Sequence, residues 1–443
     1  MTKYLITGGT RLKGTVVLRG AKNAGFKALI AALLGDSPST INNLSEIGDV
    51  ETTKEVIRSL GGEVEDSGDH SLRVFPQGLS SFDAPRSCGM KSRAATMFAG
   101  PLLAKFGQAI LPLPGGDRIG SRPIDRHLAG LEALGAEISL KGKTFYIRAP
   151  HGLRGGSYRF PKNSHTGTET LIMAAVKARG KTILENAAAE PEVDNLIDFL
   201  NKAGAKIKRS EPRRLIIEGV SNLRGVNHEV MPDRNVAVTF ACAALATRGD
   251  IFIEHADPTV LAAFREQVVK TGGGWEEAKG GLHIFWREPL KSTQVVTGPY
   301  PAFMTDWQSL WATLMTQAKG ESLIHETVFE NRFGYLANLR QMGAHTQLYN
   351  PEVSDPAELY NFNLENDRLE NFHAVRIFGP SGLRGKEVTI NDVRSGATML
   401  LAGMIASGQT RITDETSQID RGYEKLEENL VALGAKIERI AVV

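Results

Sequence analysis

An internal repeat constrains this chain more than any other feature. About six times, at a period of roughly 70 residues, an apolar helix pattern is followed by a Gly, a β-rich stretch, an acidic turn, a second helix pattern, then Gly-Ala and another β-rich stretch. The clearest copies are TLIMAAVKARGKTILENAAAEPEVDNLIDFLNKAGAKI (170–207) and TMLLAGMIASGQTRITDETSQIDRGYEKLEENLVALGAKIERI (398–440). Others run through KALIAALLGDSPSTINNL, MFAGPLLAKFGQAILPLP, VTFACAALATRGDIFIEHA and LWATLMTQAKGESLIHETV. The first helix of each unit is apolar nearly all round, as in LIMAAV, LLAGMI and VTFACAALA, which predicts burial. The second is amphipathic; EKLEENLVAL keeps Leu426, Leu430 and Leu433 on one stripe. Stretches such as KTILEN, DIFIEH, SLIHET and QTRITD are β-branched and follow a helix-ending Gly. One buried and one half-exposed helix per unit predicts an α/β fold with helices inside and sheets outside. Six units divide naturally into two domains of three.

The bulk numbers agree with that division. At 443 residues the chain is too long for a single hydrophobic core. Hydrophobic and charged fractions of 42% and 23% are those of a soluble globular protein. A net charge of +2 gives no electrostatic case for a nucleic acid or an anionic membrane as partner. The opening MTKYLITGGTRLKG has no basic region followed by an apolar one, so no signal peptide is expected. No apolar run approaches the roughly 20 residues of a membrane span, and a cytoplasmic location is expected. Two cysteines make neither a disulfide framework nor a metal cluster. Cys242 lies in an apolar run and belongs to the core, whereas Cys88 lies in the polar stretch PRSCGM. The interval between Gly320 and Gly408 exceeds the repeat by roughly 20 residues. The excess, LYNPEVSDPAELYNFNLENDRLENFH, reads as a surface excursion with a short helix, the alternative being a functional lid.

Polar residues interrupt the repeat at corresponding places. Just before the buried helices stand GAKNAG, GMKSRAAT, KNSHTGTE, MPDRNVAV, MTDWQS and NDVRSGAT. Capping explains a Ser, Thr or Asp there. It does not explain Lys22, Arg93 or Arg394, because a cation at a helix N-terminus opposes the macrodipole. A cation there makes sense beside an anionic ligand; a solvated surface is the alternative. Before the second helices stand IGSRPIDRH, FENRFGY and QIDRGYE, which place Arg122, Arg332 and Arg421 at matching edges. Guanidinium forks suit carboxylate and phosphate oxygens, so a small and highly anionic substrate is implied. The segment LPLPGGDRIGSRPIDRH (111–127) carries Gly115, Gly116 and Gly120 around Asp117 and Arg118, which suits a closing loop, though turn chemistry alone also accounts for it. There is no Walker A pattern, no G-x-S-x-G, no H-E-x-x-H, no Rossmann fingerprint and no Cys/His metal spacing.

GAKNAG, LPGGDRIGSRPIDRHLAGLEALGAEI, ENAAAEPEV, TDWQ, ETVFENRF, DVRSGA and IDRGYE occur in this order along essentially the whole chain. In this the sequence resembles the UDP-N-acetylglucosamine 1-carboxyvinyltransferase family, which belongs with the shikimate-phosphate enolpyruvyltransferases. The resemblance implies two inside-out α/β barrel-like domains of three units each, with buried helices and outer sheets. It implies a first domain of 1–21 plus 233–443, a second of 22–232, and an active site in the cleft between them. The implied reaction moves the enolpyruvyl group of phosphoenolpyruvate onto the 3-hydroxyl of the UDP-sugar. Lys22, Asn23, Arg122, Arg394 and Arg421 would hold phosphoenolpyruvate. Asp117, Lys22, Asp306 and Arg394 would be catalytic, with Asp306 as base for the acceptor hydroxyl and Asp117 as proton donor. Arg93, Arg122, Pro123, Ile124, Asp125, Arg126, Lys162, Asn163, Ser164, His165, Asp306 and Val328 would contact the UDP-sugar. No cofactor and no metal is called for; the expected partners are the two small-molecule substrates, with no nucleic acid and no membrane.

Four departures from the family pattern stand out. Asp117 occupies the loop position where most members carry Cys, so resistance to fosfomycin, which alkylates that Cys, is expected. NSHTGTE replaces the usual Ser-Val-Gly-Ala-Thr, MPDRNVAV lacks the usual Glu-Thr-Gly-Thr, and the excursion near 350–375 is unusual. Most of these touch the acceptor side. Two alternatives therefore stay open: the same transfer onto a different nucleotide acceptor, or a catalytically silent relative that binds nucleotide sugars.

Overall fold

A computed structural model describes residues 1–86, 89, 93–115 and 119–441. The unit around 165–218 shows how the repeat becomes structure. The buried helix His165–Ala175 starts at Ser164, whose hydroxyl accepts from the Gly167 amide, and has no exposed side chain. Strand Lys181–Glu185 follows, with Thr182 and Leu184 turned inward. The second helix, Pro191–Lys202, has Pro at its first position and Glu192 and Asp194 in its first turn, which suit the N-terminal end of the dipole. It stops at Gly204, whose φ of 109° needs a residue without Cβ. Gly434 does the same in the last unit, with φ 103°. The hairpin Lys206–Glu211 and Arg214–Glu218 completes the unit.

The same plan recurs in six sheets among the described residues. In five of them a first strand pairs in parallel with a short strand on one side and antiparallel with another strand on the other, which in four of the five belongs to a hairpin. The remaining sheet has three strands, Gln108–Pro112, Thr144–Arg148 and Glu137–Lys141, and there an isolated parallel bridge from Asp83 to Ile110 occupies the place of the short strand. The last unit, around 387–441, takes one strand from the start of the chain. Thr2–Thr7 lies antiparallel between Gln409–Asp414 and Lys436–Ala441, in registers running Thr2↔Asp414 and Thr2↔Ala441. Alternation explains why it fits: Tyr4 and Ile6 are fully buried while Lys3 and Leu5 are partly open.

The chain divides into two compact units. One comprises Met1–Leu18, Asp117–Arg122 and Pro232–Val443, the other Arg19–Gly116 and Pro123–Met231. The segment 119–122, which the sequence assigned to the second domain, belongs to the first unit for a local reason: the Ser121 amide donates to Glu330 Oε1 at 2.6 Å. Each unit has its own apolar core. In the first, helices Arg234–Ala246, Thr305–Met315 and Val393–Ile405 pack on one another. In the second, helices Lys22–Ala32 and His165–Ala175 both pack on the 3-10 turn Arg93–Phe98, which leads into helix Ala99–Phe106. A Cβ on Gly100 would come within 2.7 Å of Met173 Cβ, so a glycine sets the spacing of those helices. Cys242 lies fully buried in the first core. Leu426, Leu430 and Leu433 are all buried along their stripe.

The excursion departs from a plain surface loop. It carries a short helix, Pro356–Leu359, and a 3-10 turn, Leu364–Asn366. Yet Tyr360, Phe362, Asn371 and His373 within it are buried. Its aromatic residues have enough apolar surface to bind it to the sheet beneath.

Candidate active site

In the first unit the expected site residues converge on Asp306. It lies in the first turn of helix Thr305–Met315, where a carboxylate suits the dipole. Arg332 Nη2 stands 3.2 Å from its Oδ1 and Arg394 Nη2 stands 3.4 Å from its Oδ2. Both arginines are buried. Arg332 also faces Asp392 at 3.9 Å, and Arg394 donates to Tyr423 Oη at 2.8 Å. Tyr423 Oη lies 3.3 Å from Thr239 Oγ1 on the helix Arg234–Ala246. Burial opposes the charge of Arg394, but Tyr423, Asp306 and Asp233 outweigh it and hold the guanidinium more firmly protonated than usual. Asp392 caps its helix by a reciprocal box with Ser395, and Asp233 caps Arg234–Ala246. The cation that capping does not explain at the start of Val393–Ile405 is thus seated against a carboxylate on a neighbouring helix.

The turn 326–330 forms the floor beside this cluster. Glu326 is buried and its carboxylate accepts from the amides of Val328 and Phe329, from Thr305 Oγ1 and from Gln308 Nε2. Burial raises its pKa, with Arg332 and these donors pulling the other way. The Phe329 ring has Arg122 over it at 5.5 Å and Arg332 at 5.9 Å. Arg122 itself has φ 45°, a left-handed backbone. Arg421 lies in the short helix Gln418–Gly422 and bonds Gln418 Oε1 at 3.3 Å.

In the second unit Lys22 opens helix Lys22–Ala32 and pairs with Asp49 at 2.5 Å; Asn23 follows it, half-buried. Arg93 opens its 3-10 turn and is half-buried. Of Pro123 to Arg126, Ile124 is buried at the start of helix Asp125–Ala133 while Pro123 and Asp125 are exposed. Arg126 Nη1 donates to the Asn163 carbonyl at 2.9 Å, which ties the segment after the loop to 162–165. Lys162 is half-buried, Asn163 buried, and Ser164 serves as the helix cap. His165 meets a group that sequence reasoning did not single out: Lys27 Nζ lies 3.0 Å from its Nε2 and 2.7 Å from Glu169 Oε1. Lys27 and Glu169 are almost wholly buried. Burial and Lys27 both depress His165, but Glu169 and Glu190 outweigh them and its pKa lies above the ordinary value. Beside it His127 bonds Thr166 at 2.9 Å, and burial together with the Arg93 charge pushes its pKa down to about 3.

The structure therefore groups Asp306, Arg394, Arg122 and Val328 around Arg332 in one unit, with Arg421 nearby in sequence to Tyr423. It groups Arg126, Asn163, Ser164 and His165 in the other, with Lys22 paired separately to Asp49. Asp117 and Arg118 lie outside the described residues. Tyr423, Lys27 and Glu169 are the additions. The signal for the last two was present: Lys27 interrupts GFKALIAALL and Glu169 interrupts GTETLIMAAV, and a charge in a buried apolar helix requires a partner. Among the described residues no cluster of three or more His, Cys, Asp or Glu is arranged to hold a metal, and no helix is long and apolar enough to cross a membrane.

Comparison with known proteins bears on the family and the fold. The family described as EPSP synthase (3-phosphoshikimate 1-carboxyvinyltransferase) matches residues 6–430. A UDP-N-acetylglucosamine 1-carboxyvinyltransferase 3 of Caldanaerobacter subterraneus subsp. tengcongensis is 42% identical over 440 residues, covering 99% of this chain and 100% of that one. UDP-N-acetylglucosamine 1-carboxyvinyltransferases of Acidiphilium cryptum and Bartonella henselae are 39% and 38% identical, covering 99% and 100% of this chain and the whole of each relative. The solved enolpyruvyl transferase NikO of Streptomyces tendae shares the fold at a TM-score of 0.84 and 22% identity, with 99% of each chain covered. The EPSP synthase of Acinetobacter baumannii shares it at 0.73 and 19%, with 100% of each covered. The inside-out arrangement of six repeated units is thus that of the enolpyruvyl transferases, and the chain belongs to the EPSP synthase family of carboxyvinyltransferases.

Proposed function

We propose that this protein transfers the enolpyruvyl group of phosphoenolpyruvate to the 3-hydroxyl of UDP-N-acetylglucosamine, releasing phosphate, in the cytoplasm. That would be the first committed step of peptidoglycan precursor synthesis, and so part of cell-wall building, cell shape and division. The observation that carries this reading is the 42% identity to a protein of that name over 99% of the chain.

The proposed division of labour follows from charge and position. Lys22, Asn23, Arg122, Arg394 and Arg421 hold the phosphate and carboxylate of phosphoenolpyruvate. C3 of the enol takes a proton, the sugar hydroxyl attacks C2, and phosphate leaves as the proton on C3 is lost. Asp306 accepts the hydroxyl proton; the Asp306–Arg394 pair supports that role by putting base and anion-binding cation side by side. Asp117 donates to C3, which requires a protonated carboxyl. Arg93, Arg122 to Arg126, Lys162 to His165 and Val328 contact the UDP-sugar. Fixed cations stabilise the moving charge, and the reaction as drawn calls for no metal or cofactor.

A phosphate-release assay with phosphoenolpyruvate and a panel of acceptors tests this. Release with UDP-N-acetylglucosamine is expected. Release only with another nucleotide would move the acceptor, and no release with any would leave a binding protein. With Asp at position 117, preincubation with fosfomycin should leave activity intact and add no mass, because a carboxylate is a far weaker nucleophile than a thiolate. Asp117→Cys should become sensitive while keeping most of its activity. Time-dependent inactivation of the unchanged protein with a covalent adduct would be fatal to the assignment of Asp117.

A further inference from the structure

The excursion at 350–373 is the loop of a β-hairpin. In four other units the equivalent hairpins close with two residues each, at 69–70, 142–143, 212–213 and 279–280. Here the loop between His345–Tyr349 and Ala374–Gly379 is long, and it folds back onto the turn 326–330. Its Asn361 amide donates to the Thr327 carbonyl at 2.7 Å, and the Glu326 amide donates to the His373 carbonyl at 2.7 Å. Tyr360 Oη lies 3.1 Å from His325 Nε2. The rings of Tyr360 and Phe362 stack at 4.9 Å, with His373 against both at 5.0 and 5.1 Å. His373 is fixed to Asp367 at 2.8 Å, and Asp367 also accepts from Asn371. Asn350 clasps the base of the loop: it donates to the Asn371 carbonyl and accepts from the His373 amide.

The turn so gripped meets the arginines through Phe329. Thr327 is held on its other side by two bonds to Thr297, leaving the turn little freedom. Phe329 presents its ring to Arg122 and Arg332. Glu330 accepts the Ser121 amide, and a Cβ on Gly120 would fall 2.4 Å from its carboxylate, so the segment 120–122 is closely fitted to it.

We infer that the 350–373 loop is a positioning element for the reaction: it fixes the turn 326–330, and through Phe329 and Glu330 it seats Arg122 and Arg332. Neither Tyr360 nor Phe362 need touch a substrate for this. The route is mechanical and local, from loop to turn to guanidinium, and lies within one unit. What Arg122 does once seated rests on the proposed function.

The test compares Tyr360→Ala/Phe362→Ala, which strips the loop of its apolar hold, with Asn350→Ala, an exposed position whose change opens only the clasp. Hydrogen exchange is followed peptide by peptide in the full-length protein. Loss of one or two bonds' worth of restraint should speed exchange about fivefold or more at Ser121, Val328 and Phe329 as well as within 350–373, leaving the strand Lys436–Ala441 unchanged. Faster exchange confined to 350–373 would overturn the inference, since a loop that merely packs would behave that way. If the double variant does not fold, Asn350→Ala gives the same two outcomes. A second readout is kinetic: the KM for phosphoenolpyruvate should rise about five- to tenfold with turnover changed less than about twofold, as for loss of uniform binding. Coupled exchange with an unmoved KM would leave the brace standing and remove Arg122 from the phosphoenolpyruvate site.

Discussion

The polar centre of the first unit is built on buried arginines, and that of the second on a buried lysine and a half-buried histidine. Arg332 and Arg394 share Asp306 and keep further partners in Asp392 and Tyr423. Lys27 and His165 share Glu169, whose carboxylate is wholly buried. An arginine stays charged at any pH the fold survives, whereas lysine and histidine lose their charge when burial or a lost partner demands it. With the Asp306 charge removed, Asp392 still faces Arg332 and Asp233 still acts on Arg394. This difference predicts that the first polar centre tolerates neutralisation better than the second.

Breaking the Lys27–Glu169 pair should give the largest effect. Glu169→Leu leaves an ammonium buried without its carboxylate and should destabilise the second unit by about 3–5 kcal/mol in denaturant unfolding. Lys27→Met combined with Glu169→Leu should recover most of that. A single variant as stable as the unchanged protein would erase the contrast between the units.

Lys22→Ala follows. It removes a cation assigned to phosphoenolpyruvate and should cost about 2–4 kcal/mol of transition-state stabilisation, which is roughly two to three orders of magnitude in kcat/KM. Near-normal kinetics would confine Lys22 to its ion pair with Asp49. Asp306→Asn keeps the shape and removes the proton acceptor, so turnover should fall at least about a hundredfold. Because Arg332 keeps Asp392 and Arg394 keeps Tyr423, its cost in stability should be clearly smaller than that of Glu169→Leu. Equal losses from the two would show that the first centre is no more redundant than the second.

The smallest effect concerns pH. Burial and Arg93 push His127 down to about 3, against 6.5 in the unfolded chain. Its contribution to stability is complete above pH 6.5 and is lost as the pH falls toward 3, because only the unfolded chain takes up the proton over that window. Between pH 6.5 and 5 the loss should be about 2 kcal/mol, and His127→Gln should flatten that limb in urea titrations. An unchanged slope in the variant would assign the acid sensitivity to other groups, His228 first, since burial lowers it to about 4.

The repeat made the architecture legible, since apolar period, helix-ending glycines and β-branched stretches all point the same way along the chain. Cys242 and the stripe Leu426, Leu430 and Leu433 could be placed from local pattern alone. Pairing could not. Lys22 was marked as a cation that capping does not explain, but nothing local names Asp49 as its partner. The Asp306 cluster draws on residues from 306 to 423 that only the packing of three helices brings together. The excursion reads as a surface excursion with a short helix, and that helix is present at Pro356–Leu359, but the burial of its aromatic residues is not legible locally. Its fold is decided by Tyr360, Phe362 and His373, which pack on one another and are tied to the sheet through His325 and Glu326.

The strand Thr2–Thr7 carries a consequence for the order in which the protein is made. It leaves the ribosome well before its two neighbours, Gln409–Asp414 and Lys436–Ala441. Residues 19–231 supply every strand of their three sheets, so that half can complete its sheets while synthesis continues. The opening strand must wait with Tyr4 and Ile6 uncovered until both neighbours emerge, and for that interval it is an unpaired apolar strand open to capture by a chaperone.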